Sequence, residues 1–369
     1  MKNFFTIVVA LTLILSSATA LASEKLIEAS GSYVMDSRLD ETPASATARA
    51  REEAKRSAVE KAGVYLQNYS KMIDFELKVD EVETVAAGLL KIQNESSNID
   101  VVENNLLRFT VTIEALIDEL SENDLKALLQ DKQSLEELTR KNKELQEKYD
   151  ELNRQMKQYR EKFDGADAAQ KEEIKKEVAL NSEKFAAVNE FAKGNEFSFR
   201  KDYEQALASY DRAISLNPQL AEAYNNRGVI RYELEQFSAA IEDYTQAIKL
   251  KSNYVDALNN RGNACAAVGQ LQNAERDFRA ALKLNDNSAV AHNNLGNVHL
   301  SRKNFDEAVK EYTRAIELYQ NYAAAYYNRA VVYYSQGNMV KALLDLRQSI
   351  NLNPSDTRTK AFYEKISRQ

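Results

Sequence analysis

The sequence predicts a mostly α-helical chain: a five-repeat superhelix, a coiled-coil helix and a small N-terminal α+β domain. Three observations predict it. Glycine and proline are scarce, ten and three in 369 residues, so helices have few places where they must break. The C-terminal half repeats itself at a fixed spacing of 34 residues. Ahead of that array lies a charged stretch whose apolar residues recur in heptads. Lys plus Arg total 49 against 56 Asp plus Glu, a mildly acidic balance that argues against a nucleic-acid binder.

The first element is a targeting segment. Lys2 precedes the apolar run FFTIVVALTLIL, Phe4 to Leu15, and a polar stretch then ends in Ala20-Leu21-Ala22. A basic start, a core of that length and a small-residue site describe a secretory signal peptide over residues 1–22. The mature chain is then expected to be exported, to the periplasm or another extracytoplasmic part of the cell envelope. A retained membrane anchor is the alternative reading, but the run is short for a bilayer. No later apolar stretch is long enough to span one, and no Cys follows the small-residue site as a lipid-anchored protein would need.

Residues 23–120 read as the small α+β domain. KLIEASGSYVM has the apolar enrichment of a strand. TPASATARAREEAKRSAVEKAGVYLQNYSKM reads as a long helix with Ala46, Ala50, Ala54, Ala58 and Ala62 four apart, a stripe that lets a helix lie close on a sheet. DEVETVAAGLL suggests a second short helix. KIQNESSNIDVV and LLRFTVTIEALI, separated by ENN, read as a β-hairpin, with RFTVTIEA alternating as an antiparallel strand should. This β-α-α-β-β order, with EASG, the Ala-spaced helix and FTVTIEA, resembles the small N-terminal domain of flagellar assembly protein T and related exported lipoproteins. The resemblance implies an envelope setting more than an activity.

Residues 121–186 form the expected coiled-coil or helical linker. Leu128, Leu135, Tyr149, Met156 and Phe163 fall at a, with Leu138, Leu145, Leu152 and Tyr159 at d. Asn142 interrupts the a series, as a register-fixing polar residue does in two-stranded coils. A parallel homodimer through residues 128–163 is one arrangement. Its g-to-e′ pairs would be Ser134–Thr139, Lys141–Gln146, Lys148–Asn153 and Gln155–Arg160, none an attractive ion pair. A hairpin folding back near Gly165 with Ile174 and Val178, or a lone spacer helix, are the other two.

From Ala187 the repeats run to residue 356 without insertion or deletion, in blocks starting at Ala187, Ala221, Val255, Ala289 and Ala323. The eighth place holds Gly194, Gly228, Gly262, Gly296 and Ala330; the twentieth holds Ala206, Ala240, Ala274, Ala308 and Ala342. Place 24 is large (Tyr210, Tyr244, Phe278, Tyr312, Leu346) and place 27 small again (Ala213, Ala247, Ala281, Ala315, Ser349). Small places let two antiparallel helices approach while the place-24 side chain fills the gap. The array resembles the tetratricopeptide repeat (TPR) family, in five tandem copies whose neighbours stack to bury their apolar faces. It departs at place 4, often Trp in the family, here Glu190, Tyr224, Leu258, His292 and Tyr326; Pro at place 32 remains only as Pro218 and Pro354. Residues 357–369 read as the capping helix.

The resemblance implies that places 2, 5, 6, 9, 12 and 13 line a concave wall. Those places hold Asn195, Asn225, Asn226, Asn259, Asn260, Asn263, Asn293, Asn294, Asn297 and Asn328. Relative to Ala, each Asn costs a helix roughly 0.5 kcal/mol, on the order of 5 kcal/mol together. Asn tolerated on a solvated face is the plain explanation. The other is a ladder of amides that pairs with the main chain of an extended protein or peptide partner, since an amide both donates and accepts. Phe199, Tyr232, Tyr327 and Tyr334 on the same wall would supply apolar anchors. The chaperone-binding type of TPR clamps a C-terminal carboxylate with Asn and basic residues. Its Asn positions match Asn195 and Asn226, but its cationic positions fall on Phe191, Asp256 and Asn260, so that clamp is absent. Arg227, Arg261 and Arg329 at place 7 are expected to pair with Asp243, Asp277 and Asp345 at place 23, with ligand contact as the alternative; Glu311 holds that place in the fourth repeat.

No chemistry stands out. His292 and His299 fall at packing places, Cys265 is a lone, packed cysteine, and no phosphate loop, nucleophile triad or acid–base dyad is present. No enzyme activity, catalytic residue, metal site or cofactor is expected. The reading is an exported adaptor that takes an extended segment in its Asn-lined groove; the alternative is a structural component of an envelope complex without transient peptide binding.

Overall fold

A computed structural model describes residues 26–72, 82–83, 85–87, 90–103, 106–117 and 132–367. The expected signal peptide lies outside them. The chain divides into two compact units, residues 1–182 and 183–369.

In the first unit, β1 (Leu26–Asp36), β2 (Leu90–Glu103) and β3 (Leu106–Ile117) form an antiparallel sheet in the order β1-β3-β2. The expected hairpin is present, with Ile99 opposite Phe109 and Ser97 opposite Val111. Alternation decides the faces: Phe109, Val111, Ile113 and Ala115 are buried, while Thr110, Thr112 and Glu114 between them are half-buried. Helix α1 (Pro43–Met72) lies on β1 and β3. All five alanines of its stripe are fully buried. The approach is close enough that a Cβ on Gly31 would strike the backbone of Ala54 and stand 2.5 Å from Ala50 O. Of the second short helix, the described residues 82–83 and 85–87 are helical, and Val82, Val85 and Ala86 join the sheet core. β2 is an edge strand, with Ile99 and Val101 exposed to solvent.

The heptad stretch takes the fold-back hairpin, one of the three arrangements its sequence leaves open. It forms α2 (Lys132–Asp164), which turns at residues 165–167 into α3 (Ala168–Phe199) and folds back on it. Met156 and Phe163 pack with Ile174, Val178 and Leu39, and Asn181 Nδ2 donates to Leu152 O at 3.2 Å. Tyr149, Leu152, Met156 and Phe163 are buried within the one chain. Leu128 and the side chains of Leu135 and Leu138 lie outside the described residues. A stripe of period 3.5 requires an apolar partner and does not say which one.

The hairpin is no free linker, because a polar network ties it to the sheet domain. Arg49 on α1 donates to Asn153 and, at 2.6 Å, to Asn181 Oδ1. Its Nε lies 3.4 Å from Glu41 Oε1, both side chains almost wholly buried. Tyr33 donates to Glu41 at 3.2 Å, and Arg160 donates to Val34 O at 2.6 Å. Burial pushes the Glu41 carboxyl above its ordinary value against the pull of Arg49 and Arg160. Arg38 meets Asp164 at 2.8 Å and Lys175 meets Asp40 at 2.8 Å.

In the second unit the end of α3, from Ala187, and α4 (Tyr203–Leu216) make the first repeat. The next four are α5 (Ala221–Glu233) with α6 (Phe237–Leu250), α7 (Val255–Ala267) with α8 (Leu271–Leu284), α9 (Ala289–Ser301) with α10 (Phe305–Leu318), and α11 (Ala323–Ser335) with α12 (Met339–Leu352). α13 (Thr357–Ser367) caps them. The small places work as expected. A Cβ on Gly262 would stand 2.6 Å from the Phe278 ring, and the other place-8 glycines meet Tyr210, Tyr244 and Tyr312 as closely. In the fifth repeat, where the ring is replaced by Leu346, place 8 is Ala330, fully buried. Each hairpin turn has a left-handed residue at place 15: Lys201, Glu235, Gly269, Lys303 and Gly337, with φ of 60, 58, 77, 60 and 76°. Only two of these are glycine, so that turn is poorly marked in the sequence.

Candidate functional site

Helical spacing gathers the asparagines. Places 5, 9 and 12 of a first helix lie one turn apart on one face, with place 6 beside them. On α7 that face carries Asn259, Asn260, Asn263 and Ala266; on α9 it carries Asn293, Asn294, Asn297 and Leu300.

The carboxamides are joined to one another by a rule of their own. At three of the four junctions the place-6 amide reaches back to an oxygen of the repeat before. Asn260 Nδ2 donates to Asn225 Oδ1 at 3.2 Å, and Asn328 Nδ2 donates to Asn293 Oδ1 at 3.0 Å and Asn297 Oδ1 at 3.1 Å. Asn226 Nδ2 donates to Asn195 Oδ1 at 2.9 Å, there being no place-5 asparagine in the first repeat. Within a helix, Asn225 donates to Asn226 at 3.1 Å and Asn293 to Asn294 at 3.4 Å. Place-24 phenols complete the set: Tyr210 donates to Asn195 at 2.9 Å and Tyr312 to Asn297 at 2.8 Å. Burial raises the pKa of both phenols, so they remain neutral donors.

Asparagine at places 5 and 6 is therefore partly structural. Asn225 and Asn293 are 1 % and 5 % exposed and serve as internal ties between repeats. Asn195, Asn226, Asn259, Asn260, Asn263, Asn294 and Asn328 are half-buried and Asn297 is exposed, so these eight line the wall. One junction departs from the rule. Asn259 Oδ1 is buried with no hydrogen-bond partner, so the bond from Asn294 Nδ2 that the rule calls for is not made. A buried acceptor left unmade costs about 1–3 kcal/mol.

The expected aromatic anchors are mostly occupied. Tyr334 and Tyr327 meet Phe362 of the cap edge-on, with centroids at 5.4 and 6.1 Å. Tyr232 meets Phe237 at 5.2 Å, and Phe199 is 38 % exposed. The arginines at place 7 pair within their repeat. Arg227 Nε donates to Asp243 at 3.0 Å, Arg261 Nε to Asp277 at 2.7 Å and Arg329 Nε to Asp345 at 2.8 Å. Where place 7 is Leu295, the place-23 Glu311 lies 2.6 Å from His292 Nδ1 instead. Burial pushes the Cys265 thiol up, with Asp277 adding to it, the reverse of activation. Among the described residues, no group of three or more His, Cys, Asp or Glu side chains can hold a metal ion, and no helix is long and apolar enough to cross a membrane.

Family comparison settles the array. Tetratricopeptide repeat models match residues 198–258, and 255–288 with 323–356; a TPR repeat model matches 296–337. These are tetratricopeptide repeats. Among solved structures, the chain is similar to YrrB, described as a TPR protein with an unusual peptide-binding site. The two are 26 % identical over 52 % of this chain and 96 % of that one, with a TM-score of 0.43. It is similar also to TTC0263, a thermophilic TPR protein in Thermus thermophilus, at 21 % identity over 50 % and 100 %, TM-score 0.43. The first TPR of Spaghetti (RPAP3), bound to the HSP90 peptide SRMEEVD, matches at 26 % over 32 % and 95 %, TM-score 0.32. No curated protein matches the chain.

Proposed function

We propose that this chain is an exported, non-enzymatic adaptor whose TPR groove holds an extended segment of a partner protein. The observation that carries the reading is the concentration of carboxamide heads on one face of successive first helices, fixed in orientation by one another. A preorganised row of amides binds main chain with little demand on sequence, because its hydrogen-bonding groups need no reordering on contact. Export rests on the leader over residues 1–22. The N-terminal unit, with its resemblance to an envelope domain, then docks the adaptor to envelope machinery.

The test is binding of a fluorescein-labelled pool of uncharged, unstructured random peptides to the chain lacking residues 1–22, read by anisotropy. Asn226→Ala, Asn260→Ala and Asn294→Ala together should weaken it by about tenfold or more. Undiminished binding by the triple variant would show that the groove is not the site. The alternative, a fixed structural component, is favoured by the exposed edge strand β2 with Ile99 and Val101 in solvent, a surface suited to lasting lateral contact. Under it the wild-type chain binds no peptide pool.

A further inference from the structure

We infer that the partner's main chain enters the groove at the junction of the third and fourth repeats, with Asn259 Oδ1 accepting from a peptide N–H and Asn294 Nδ2 donating to a peptide C=O. The inference rests on the groove reading above and adds its register.

Three observations converge there. The first is the broken rule. By the pattern that joins Asn260 to Asn225 and Asn328 to Asn293, Asn294 Nδ2 belongs on Asn259 Oδ1. That bond is not made, and the oxygen is buried without a partner. Two closed stretches of ladder thus flank one open step: Asn195 through Asn226 and Asn225 to Asn260 on one side, Asn293 and Asn297 with Asn328 on the other. The second is the chemistry of what is left over. An acceptor on one helix and a donor on the next are what a single residue of an extended strand satisfies with its N–H and C=O.

The third is room. At place 12 the second and fifth repeats carry Tyr232 and Tyr334, each packed against another ring. The third repeat has Ala266 there and Ala267 beside it, the latter exposed. Asn259, Asn263 and Ala266 follow one another at i, i+4 and i+7 along α7, so the open amides border a stretch of wall without bulk. The strand's side chains can lie over these alanines while its backbone reaches the amides. Elsewhere along the wall the amide heads have each other.

The test uses the chain lacking residues 1–22 and the same labelled pool of random peptides. Asn259→Ala and Asn294→Ala, singly, should each weaken binding several-fold and together by about tenfold or more. Asn328→Ala, in the closed ladder of the fifth repeat, should change it by less than about threefold. Asn259→Ala should also unfold at a higher temperature than the wild type, since it removes an unpaired acceptor and improves helix propensity; lost binding in that variant is then not lost folding. A pool of the same peptides methylated at the backbone nitrogens should bind the wild type weakly and should not distinguish it from Asn259→Ala. If Asn328→Ala is damaging while Asn259→Ala and Asn294→Ala are silent, the groove reading stands and the proposed register is wrong. If the wild type binds no peptide, or every groove variant binds like it, both fall.

Discussion

The two units close their buried polar groups in opposite ways. In the repeat unit one arginine–aspartate clamp is made three times at the same offset of sixteen residues, and one amide step recurs along the wall. In the N-terminal unit, Arg49 meets Glu41, Asn153 and Asn181 in an arrangement made once. The first is stabilised piecewise, each repeat leaning on its neighbours. The second concentrates its polar cohesion in a few side chains, and losing one of them leaves a charge stranded in the interior. The repeats should therefore tolerate local damage that the N-terminal unit cannot.

The strongest way to break that contrast is Gly31→Ala. The new methyl would collide with α1 backbone, which cannot step aside as a side chain can, and the loss should be on the order of 4 kcal/mol or more. Hydrogen exchange should show protection lost across residues 26–117 and kept in the repeats. Next in size is Arg49→Ala, expected to cost about 3–5 kcal/mol by stranding Glu41, with the same regional signature by exchange. Gly262→Ala, the repeat counterpart of Gly31→Ala, should cost only about 1–3 kcal/mol, because it meets the edge of a ring. Adding Phe278→Leu should recover part of that loss, reproducing the Ala330–Leu346 pair of the fifth repeat. A double-mutant cycle in chemical denaturation measures the coupling, and additivity would refute it. The smallest effect is a gain. Glu235→Gly, at a left-handed position where the neighbouring repeat has Gly269, should stabilise by about 0.5–1 kcal/mol in a thermal melt.

What was legible in the sequence follows the same division. The helix pairs, their close places and the arginine clamps recur every 34 residues, so one repeat explains the next. The Ala stripe of α1 and the alternation of β3 were legible because period four and period two each name a buried face. The Arg49 network was not: its members lie 104 and 132 residues apart in the chain, with no period linking them. The heptad seam was legible as apolar but not as to its partner, because a period of 3.5 names a face and not what covers it. The asparagines were legible as one face. Their mutual pairing was not, because which amide group is left over depends on the neighbouring repeat.

The glycine–ring and alanine–leucine pairs are two spellings of one contact, and a spelling has to be kept whole. A genetic exchange with the fifth repeat that cuts the chain between Gly228 and Tyr244 would mate an alanine with an aromatic ring, or a glycine with a leucine and a hole. A cut between Tyr244 and Gly262 carries each pair across intact. Recombination that joins the fifth repeat to any of the first four is thus confined to crossovers in about half of the repeat, from the inner side of the second helix to the start of the next first helix.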